Sequence, residues 1–222
     1  TVDAFMVDTV WNSSTLNPID LPITWDDTQN VDYTTVAFEG GNALLVQDPT
    51  NAANNVLRFI KPSGAQPWAG VTLSTPAGLA SAIPFNVNEN SISAEVFSPA
   101  SGSTVMMKIE VAGSPTVYVE TSATTTAANA WETLTFNFSS PTNGTINYNN
   151  SYNLISVFPN FLSTAANDTF YIDSVYFGQP VIPLQQINLP ISWDNSAVID
   201  YTTTAFEGGN ALLVQDPTNA AN

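Results

Sequence analysis

The sequence predicts an all-β protein, a jelly-roll-like antiparallel β-sandwich that is repeated in tandem. Three observations carry this prediction. Apolar and polar residues alternate with a period of two, clusters of turn-forming residues separate the alternating segments, and a long stretch of sequence occurs twice. Alternation is typical of strands with one buried face, and many short strands separated by turns are typical of a two-sheet sandwich.

The clearest strand is VMMKIEV at 105–111, which alternates between a purely apolar face and a face with Met106, Lys108 and Glu110. The same alternation occurs in three further segments, SISAEVF (91–97), TVYVET (116–121) and WETLTFNF (131–138). Turn clusters such as SPASGS, AGSP and SSPTNGT separate these segments and predict the ends of the strands.

The repeat aligns residues 21–54 with residues 189–222 at an offset of 168 positions, and 27 of the 34 aligned residues are identical. A weaker match aligns FMVDTVW at 5–11 with FYIDSVY at 170–176. The sequence therefore predicts five consecutive segments, which are the last strand of a preceding module (1–11), a linker (12–20), one complete module (21–179), a second linker (180–188) and the start of the next module (189–222).

The composition excludes several kinds of chemistry. The 222 residues include no histidine, no cysteine and only three Lys or Arg residues, and the formal net charge is −16. Conventional Ser-His triads, thiolate nucleophiles and zinc sites are therefore excluded. The acidic charge disfavours nucleic acid and anionic membranes as partners, and no apolar run is long enough to span a bilayer.

Carboxylates are the remaining candidates for catalysis. A glycosidase needs two of them on either side of the scissile bond, and Glu95, Glu110 and Glu120 lie on polar strand faces. Such positions favour solvated charges that keep a sheet soluble. Serial duplication of a segment also favours binding or spacing over catalysis. We therefore expect a protein that is not an enzyme.

Oxygen ligands alone point to Ca²⁺ or Mg²⁺ as the metal that this chain can bind. Asp26 lies in the first strand of the module, and Asp173 lies between apolar residues in the last strand. A buried carboxylate there must be paired, hydrogen-bonded or bound to a metal. Both positions recur, as Asp194 and Asp8. We expect Asp26 and Asp173 to meet at a calcium ion; the alternative is that Asp173 faces solvent on an edge strand.

Four sequence features resemble the carbohydrate-binding jelly rolls of the galactose-binding-like type. They also resemble the repeated β modules of large secreted proteins of marine Bacteroidetes, such as adhesins and polysaccharidases. The features are ITWD, FEGGNALLV, AWETLTFNF and the terminal FYIDSVYFG, and the resemblance covers about 21–179. It implies a structural calcium held by Asp26, Asp173 and backbone carbonyls. The family usually has Glu at the first of these positions, where this chain has the shorter Asp26.

Sugar binding needs aromatic rings on which a sugar ring can stack, together with a few hydrogen-bonding groups. Trp68 follows a turn among small residues, and we expect it at the exposed rim of such a site. Alternation predicts that Tyr118 shares one polar face with three charged residues. The predicted ligand-binding residues are therefore Trp68, Tyr118, Lys108, Glu95 and Glu120.

The remaining aromatic and basic residues of note are expected to have structural roles. Trp25 and Trp131 stand at the starts of predicted strands, where aromatic residues usually pack in a core. Arg58 and Lys61 are expected to be ion-pair partners on the acidic surface.

Two functions of different classes fit these observations. The first is a repeat of an extracellular cell-surface adhesin or filament, whose modules supply length, display surface and multivalent adhesion. The alternative is a carbohydrate-binding module of a secreted polysaccharide-degrading enzyme. The near-identity of the two copies favours the first. The expected partners are neighbouring modules of the same chain and polysaccharide, with no nucleic acid and no membrane insertion.

Overall fold

The computed structural model describes residues 16–164 and 167–178, and the backbone of residues 185–186 and 199–200. Two compact units make up the chain, residues 1–179 and 180–222. The predicted strand at 1–11, with Asp8, and the second-module Asp194 lie outside the described residues. The described part of the chain has no helix long and apolar enough to cross a membrane.

The described residues of the first unit form twelve strands, and those of the second form two. They are β1 (Asn17–Pro18), β2 (Val31–Asp32), β3 (Val36–Phe38), β4 (Asn42–Gln47), β5 (Asn55–Lys61), β6 (Gly70–Thr72), β7 (Ser91–Phe97), β8 (Thr104–Val111), β9 (Ser114–Thr124), β10 (Trp131–Asn137), β11 (Leu154–Phe158), β12 (Asp168–Phe177), β13 (Gln185–Gln186) and β14 (Ile199–Asp200).

Ten of these strands form two five-stranded antiparallel sheets. Sheet A has the strand order β10-β7-β12-β5-β4, and sheet B has the order β3-β6-β11-β8-β9. Successive strands from β5 to β8 alternate between the two sheets, as they do when a chain wraps around a sandwich. The predicted all-β, jelly-roll-like sandwich is confirmed.

The core lies between the inner faces of the two sheets. On β8, Val105, Met107 and Ile109 are fully buried, as the alternation predicts. On β12, Phe170 and Ile172 are buried in the same cluster. Because successive side chains of a strand point to opposite faces, the residues between these positions are directed to the outer faces of the sheets.

The beginning and the end of the first unit are joined through the backbone. The N–H of Ile23 donates to the carbonyl of Val175 at 2.8 Å, and the N–H of Val175 donates back at 3.0 Å. Ile19, within the predicted linker, is only 2% exposed and belongs to the core. Core packing therefore extends to residue 19.

A short parallel pairing recurs at the spacing of the sequence repeat. In the first unit β1 pairs with β2, with Asn17 opposite Val31. In the second unit β13 pairs with β14, with Gln185 opposite Ile199. Each residue of the second pair stands 168 positions after its counterpart.

Candidate functional site

A cluster of charged and aromatic side chains occupies the outer face of sheet B at β8 and β9. Lys108 is opposite Glu120 in the register, and Glu110 is opposite Tyr118. The Lys108 Nζ lies 3.0 Å from Glu110 Oε1 and 4.4 Å from the centre of the Tyr118 ring. One ammonium group thus contacts a carboxylate and an aromatic face. The prediction that Tyr118 shares a face with Lys108 and Glu120 is confirmed.

A loop after β10 closes the β9 side of this cluster. Asn143 Nδ2 donates to Glu120 Oε2 at 2.9 Å, and the Glu120 N–H donates to the Asn143 carbonyl at 2.9 Å. Gly144 lies directly against β9, since a Cβ there would be 2.7 Å from the Tyr118 carbonyl oxygen. No strand periodicity marks Asn143 in the sequence, so its part in the cluster was not predictable from alternation.

The central strands of sheet B contribute hydroxyl groups beside the charged cluster. Ser156 on β11 is opposite Lys108, and its Oγ lies 2.8 Å from Thr72 Oγ1 on β6. Ser156, Met106 and Phe158 are buried, although alternation directs them away from the core between the sheets. The centre of the outer face therefore consists of buried side chains that include hydroxyl groups, and the charged side chains lie on its β9 side.

The opposite end of the same face is aromatic. The rings of Phe38 and Phe158 pack edge to face with centroids 5.3 Å apart, and Phe161 lies 5.9 Å beyond Phe158. Gly70 permits this packing, because a Cβ there would be 2.8 Å from the Phe38 ring. Trp68 precedes Gly70 by two residues and is 46% exposed. Its predicted exposure is confirmed.

The two ends are too far apart for a single sugar. Gly70 is in the register row of Met106, whereas Tyr118 is in the row of Glu110, and three strand-to-strand steps separate β6 from β9. At the usual spacings this is about 14 Å across the strands and about 13 Å along them. A ligand that contacts both ends must therefore be an extended oligomer.

Glu95 is not part of this face. It lies on β7 in sheet A, opposite Thr133 on one side and Asp173 on the other, and its carboxylate accepts a hydrogen bond from the Thr133 hydroxyl. The prediction that it shares a face with Tyr118 and Lys108 is wrong. Alternation determines which side of a sheet a residue takes, but not which of two sheets its strand joins.

Asp26 and Asp173 lie close together, because the Ile23–Val175 pairing brings the first segment against β12. Asp26 Oδ1 accepts a hydrogen bond from the Asn55 N–H, and Asp173 Oδ2 accepts one from Asn54 Nδ2, each at 3.0 Å. The solvent-facing alternative is wrong for Asp173, which is 8% exposed on the central strand of sheet A.

The surroundings of Asp173 disfavour its negative charge. Burial raises the pKa of the Asp173 carboxyl above its ordinary value, and the neighbouring charge of Asp26 raises it further, although hydrogen bonds from Asn54 and Ser174 act in the opposite direction. The Asp173 Oδ1 atom is buried and has no hydrogen-bond partner among the described residues. A cation at this oxygen would satisfy it and favour the ionised form.

Two strained backbone positions flank these aspartates. Trp25, directly before Asp26, has φ 63°, and Ser174, directly after Asp173, has φ 47°. Left-handed conformations at residues other than glycine cost about 1–3 kcal/mol each and concentrate at functional sites. The strain at Ser174 coincides with a register shift between β12 and β7, which re-aims the side chains of β12.

The oxygen atoms of Asp26 and Asp173 are of the kind that calcium binds, but two carboxylates are too few to complete its coordination. Calcium takes six to eight oxygen ligands, and Asp26 and Asp173 supply hard carboxylate oxygens. In residues 16–164 and 167–178, no group of three or more acidic, His or Cys side chains is arranged to hold a metal. Backbone carbonyls and water would have to complete the coordination.

Of the two strand-start tryptophans, Trp25 has the core role predicted for it, whereas Trp131 is half-buried outside the core cluster, because it alternates with the buried Leu134 and Phe136 of β10. Trp25 is fully buried. The ring of Trp131 packs edge to face on Phe97 at 5.7 Å, and its Nε1 donates to Asp48 Oδ1 at 3.2 Å. Burial alone would raise the pKa of Asp48, but hydrogen bonds from Thr50, Trp131 and Asn54 outweigh it and lower that pKa.

The ion-pair roles expected for Arg58 and Lys61 are wrong for the part of the chain that is described. The ion pair found there joins Lys108 to Glu110. Lys61 is 1% exposed and donates to backbone carbonyls instead. A buried lysine with this arrangement has no signal in the sequence, because its loop partners are distant along the chain.

Comparisons with known proteins give a likeness of fold to solved structures and no match of sequence. No protein-family model and no curated protein matches the sequence. An exo-β-agarase aligns over 71% of this chain with a TM-score of 0.51 and 8% identity. A carbohydrate-binding module of family 28, specific for non-crystalline cellulose, aligns over 74% of this chain and 96% of its own length with a TM-score of 0.49 and 10% identity.

A family 11 carbohydrate-binding module from Clostridium thermocellum, in complex with a β-1,3-1,4-mixed-linked tetrasaccharide, aligns over 70% of this chain and 94% of its own length, with a TM-score of 0.45 and 16% identity. By contrast, the chain spans only 24% of the agarase and 23% of an α-L-arabinofuranosidase that it also matches. Several structural neighbours are thus carbohydrate-binding modules with a jelly-roll fold, and at these identities the likeness is one of fold.

Proposed function

We propose that the first unit is a polysaccharide-binding module and that the outer face of sheet B is its binding surface. The observations that carry this proposal are a hydrogen-bonding cluster at Lys108, Tyr118 and Glu120 on this face and an exposed aromatic ring at Trp68, in the turn that leads into β6. An exposed ring gives a sugar a surface on which to stack, and the polar groups bind its hydroxyls.

The charges on this face favour a neutral ligand. Lys108 is the single cation of the cluster and is already paired with Glu110 at 3.0 Å. Glu120 adds a second negative charge, on a chain whose net charge is −16. A sulfated or uronic polysaccharide would be repelled, whereas the hydroxyl groups of a neutral one can donate to the carboxylates and accept from the ammonium group.

The proposed role is binding without hydrolysis. Glu110 and Glu120 are the carboxylates of the cluster, and Lys108 is next to both in the register, paired with Glu110 and opposite Glu120. In a glycosidase the scissile bond occupies the space between the two carboxyl groups. Here the Lys108 ammonium group is paired with Glu110, and Asn143 donates a hydrogen bond to Glu120, so both carboxylates already have partners. This supports a recognition site. Release of reducing sugar from a polysaccharide that the chain binds would contradict this part of the proposal.

Affinity electrophoresis tests the proposal directly. The chain is run through gels that contain mixed-linkage β-glucan, xylan, agarose, alginate or carrageenan. We expect retardation by at least one neutral polysaccharide and none by the uronic or sulfated ones. Trp68→Ala and Tyr118→Ala should each weaken that binding about tenfold, equivalent to roughly 1.4 kcal/mol.

Matched controls lie on the opposite sheet. Tyr171→Ala removes a half-buried tyrosine from the outer face of sheet A, and Glu95→Gln removes a negative charge from the same sheet. Both control variants should bind like the parent. Equal binding by Trp68→Ala, Tyr118→Ala and the parent, or retardation by none of the gels, would refute the proposed surface.

We also propose that Asp26 and Asp173 hold a structural calcium ion away from this face. The unpartnered Oδ1 of Asp173 and the strained residues beside both aspartates support it. The ion would bind the two carboxylates and relieve the repulsion between them, so its effect is expected on stability. Sugar recognition belongs to sheet B.

The sequence repeat favours a second candidate role, in which such modules form an array on an extracellular adhesin or filament. The near-identity of residues 21–54 and 189–222 and the recurrence of the β1–β2 pairing support it. Repetition multiplies weak sites when neighbouring modules can engage one polysaccharide chain together. The polysaccharide ligand and the array role are therefore compatible, and both suit a secreted protein.

A further inference from the structure

Lys61 is a buried cation at the end of β5, beneath the aromatic end of the proposed binding face. It is 1% exposed, and its Nζ donates to the Pro67 carbonyl at 2.6 Å and to the Asn160 carbonyl at 2.9 Å. These carbonyls belong to two different loops. The first loop carries Trp68, and the second carries Phe161 and Leu162.

The two loops are also joined to each other at the same point. The Leu162 N–H donates to the Pro67 carbonyl at 2.9 Å, so that oxygen accepts hydrogen bonds from both Lys61 and the second loop. Asp168, opposite Lys61 on β12, attracts the ammonium group and accepts a hydrogen bond from the Asn160 side chain. Lys61 is therefore the centre of a polar network that connects β5, β12 and both loops.

Placing an ammonium group there is costly unless its donors are satisfied. A methionine would fill the same space without that cost, but it could not hold either loop. The Trp68 side chain is 46% exposed, so the packing of its ring contributes only part of what holds that loop in place. The main effect of the buried Lys61 ammonium group is thus to hold the two loops in a fixed geometry.

We propose that Lys61 is a positioning residue for sugar binding, which fixes the Trp68 loop against the Phe161–Leu162 loop before the ligand arrives. This inference rests on the proposed binding face of sheet B. It assigns to Lys61 no contact with the ligand. Its contribution is preorganisation, because a loop ordered in advance loses less conformational freedom on binding.

The variant Lys61→Met keeps the length of the side chain and removes its donors. In the full chain we expect about tenfold weaker retardation by the neutral polysaccharide that the parent binds. Hydrogen exchange of the Leu162 amide should accelerate at least tenfold, because the Pro67 carbonyl loses its second donor and the loops separate more often. Amides of β8 and β9 should keep their protection.

A control separates positioning from general destabilisation. Ile92→Val removes one buried methyl group on β7 in sheet A and should lower the melting temperature without changing the binding. If Lys61→Met accelerates exchange at Leu162 but binds like the parent, or if it leaves that exchange unchanged, the inference is overturned.

The inference and the proposed function fail in different ways. Loss of binding in Trp68→Ala with full binding in Lys61→Met would overturn the role of Lys61 alone. Full binding in Trp68→Ala would overturn the proposed face and the positioning role with it. Weakened binding and faster Leu162 exchange in Lys61→Met, together with normal binding in Ile92→Val, would support the inference.

Discussion

At the scale of single residues, Asp173 is a carboxylate whose ionised form is disfavoured by its surroundings. It is a carboxylate on the central strand of sheet A, with one oxygen bonded to Asn54, the other unpartnered, and Asp26 close by. Its pKa is raised in the folded state, so the folded protein binds the Asp173 proton more tightly than the unfolded chain does. The stability that this proton supplies is present below the unfolded pKa and is lost as the pH rises through the folded pKa.

The raised pKa of Asp173 gives a prediction for the protein from which calcium has been removed. In EDTA at pH 7, Asp173→Asn should raise the free energy of unfolding, since a neutral amide removes the buried charge. The difference between variant and parent should shrink as the pH falls towards 4. Thermal unfolding across that pH range measures it. A variant that is less stable than the parent at pH 7 in EDTA would contradict the prediction.

Calcium should make the parent more stable than Asp173→Asn, which reverses the order expected in EDTA. An ion that binds only the folded parent stabilises it in proportion to the logarithm of the calcium concentration above its dissociation constant. The parent should therefore melt at a higher temperature in millimolar calcium than in EDTA, whereas Asp173→Asn should melt at the same temperature in both. Identical melting of the parent in calcium and in EDTA would refute the calcium site.

At the scale of elements, the loop that carries Asn143 shapes the binding face through a close backbone contact. Gly144 has φ +78°, and a Cβ there would lie 2.7 Å from the Tyr118 carbonyl oxygen. Gly102 has nearly the same conformation, φ +79°, but nothing within 4 Å of its Cβ position. The two glycines share the backbone strain that a substitution would create and differ in the steric contact.

We predict that Gly144→Ala lowers the free energy of unfolding by about 3 kcal/mol and Gly102→Ala by about 1 kcal/mol. Gly144→Ala should also weaken polysaccharide binding, because β9 must move and it carries Tyr118 and Glu120. Urea unfolding and affinity gels measure both effects. Equal destabilisation by the two substitutions would show that the contact with Tyr118 is unimportant.

The limits of prediction from sequence are clearest at this scale. Period-two alternation is a local property of a strand, and it placed Lys108, Tyr118 and Glu120 correctly. It failed for Glu95, because β7 and β8 are neighbours in sequence but belong to different sheets. Asn143 and Lys61 act through loops, whose positions depend on contacts between distant parts of the chain. No local pattern predicts such contacts.

At the scale of the whole molecule, most of the differences between the two copies of the repeat fall in one mainly exposed stretch. Five consecutive differences fall at 27–31, of which 27–30 form an exposed turn. The segment 37–54 is identical to 205–222. In the first unit that segment contains β4 and the loop with Asp48 and Asn54, which contact Trp131 and Asp173. Asp48 and Asn54, which hold distant parts of the sandwich together, are thus among the identical residues.

An array of such modules should bind polysaccharide by avidity. A protein with three consecutive modules should be retarded far more strongly than one module in the same gel, by a factor that grows with the number of sites that one polysaccharide chain can reach. Retardation that is equal per module in the two proteins would show that neighbouring sites do not act together.

The central claim is that the outer face of sheet B binds a neutral polysaccharide, and amide chemical shifts test it residue by residue. The isotope-labelled chain is titrated in turn with oligosaccharides from mixed-linkage β-glucan, xylan and agarose. We expect shifts at β6, β8, β9 and β11 and at the indole N–H of Trp68, with none on β5, β7 or β12. Shifts confined to sheet A, or none with any of the three ligands, would contradict the account.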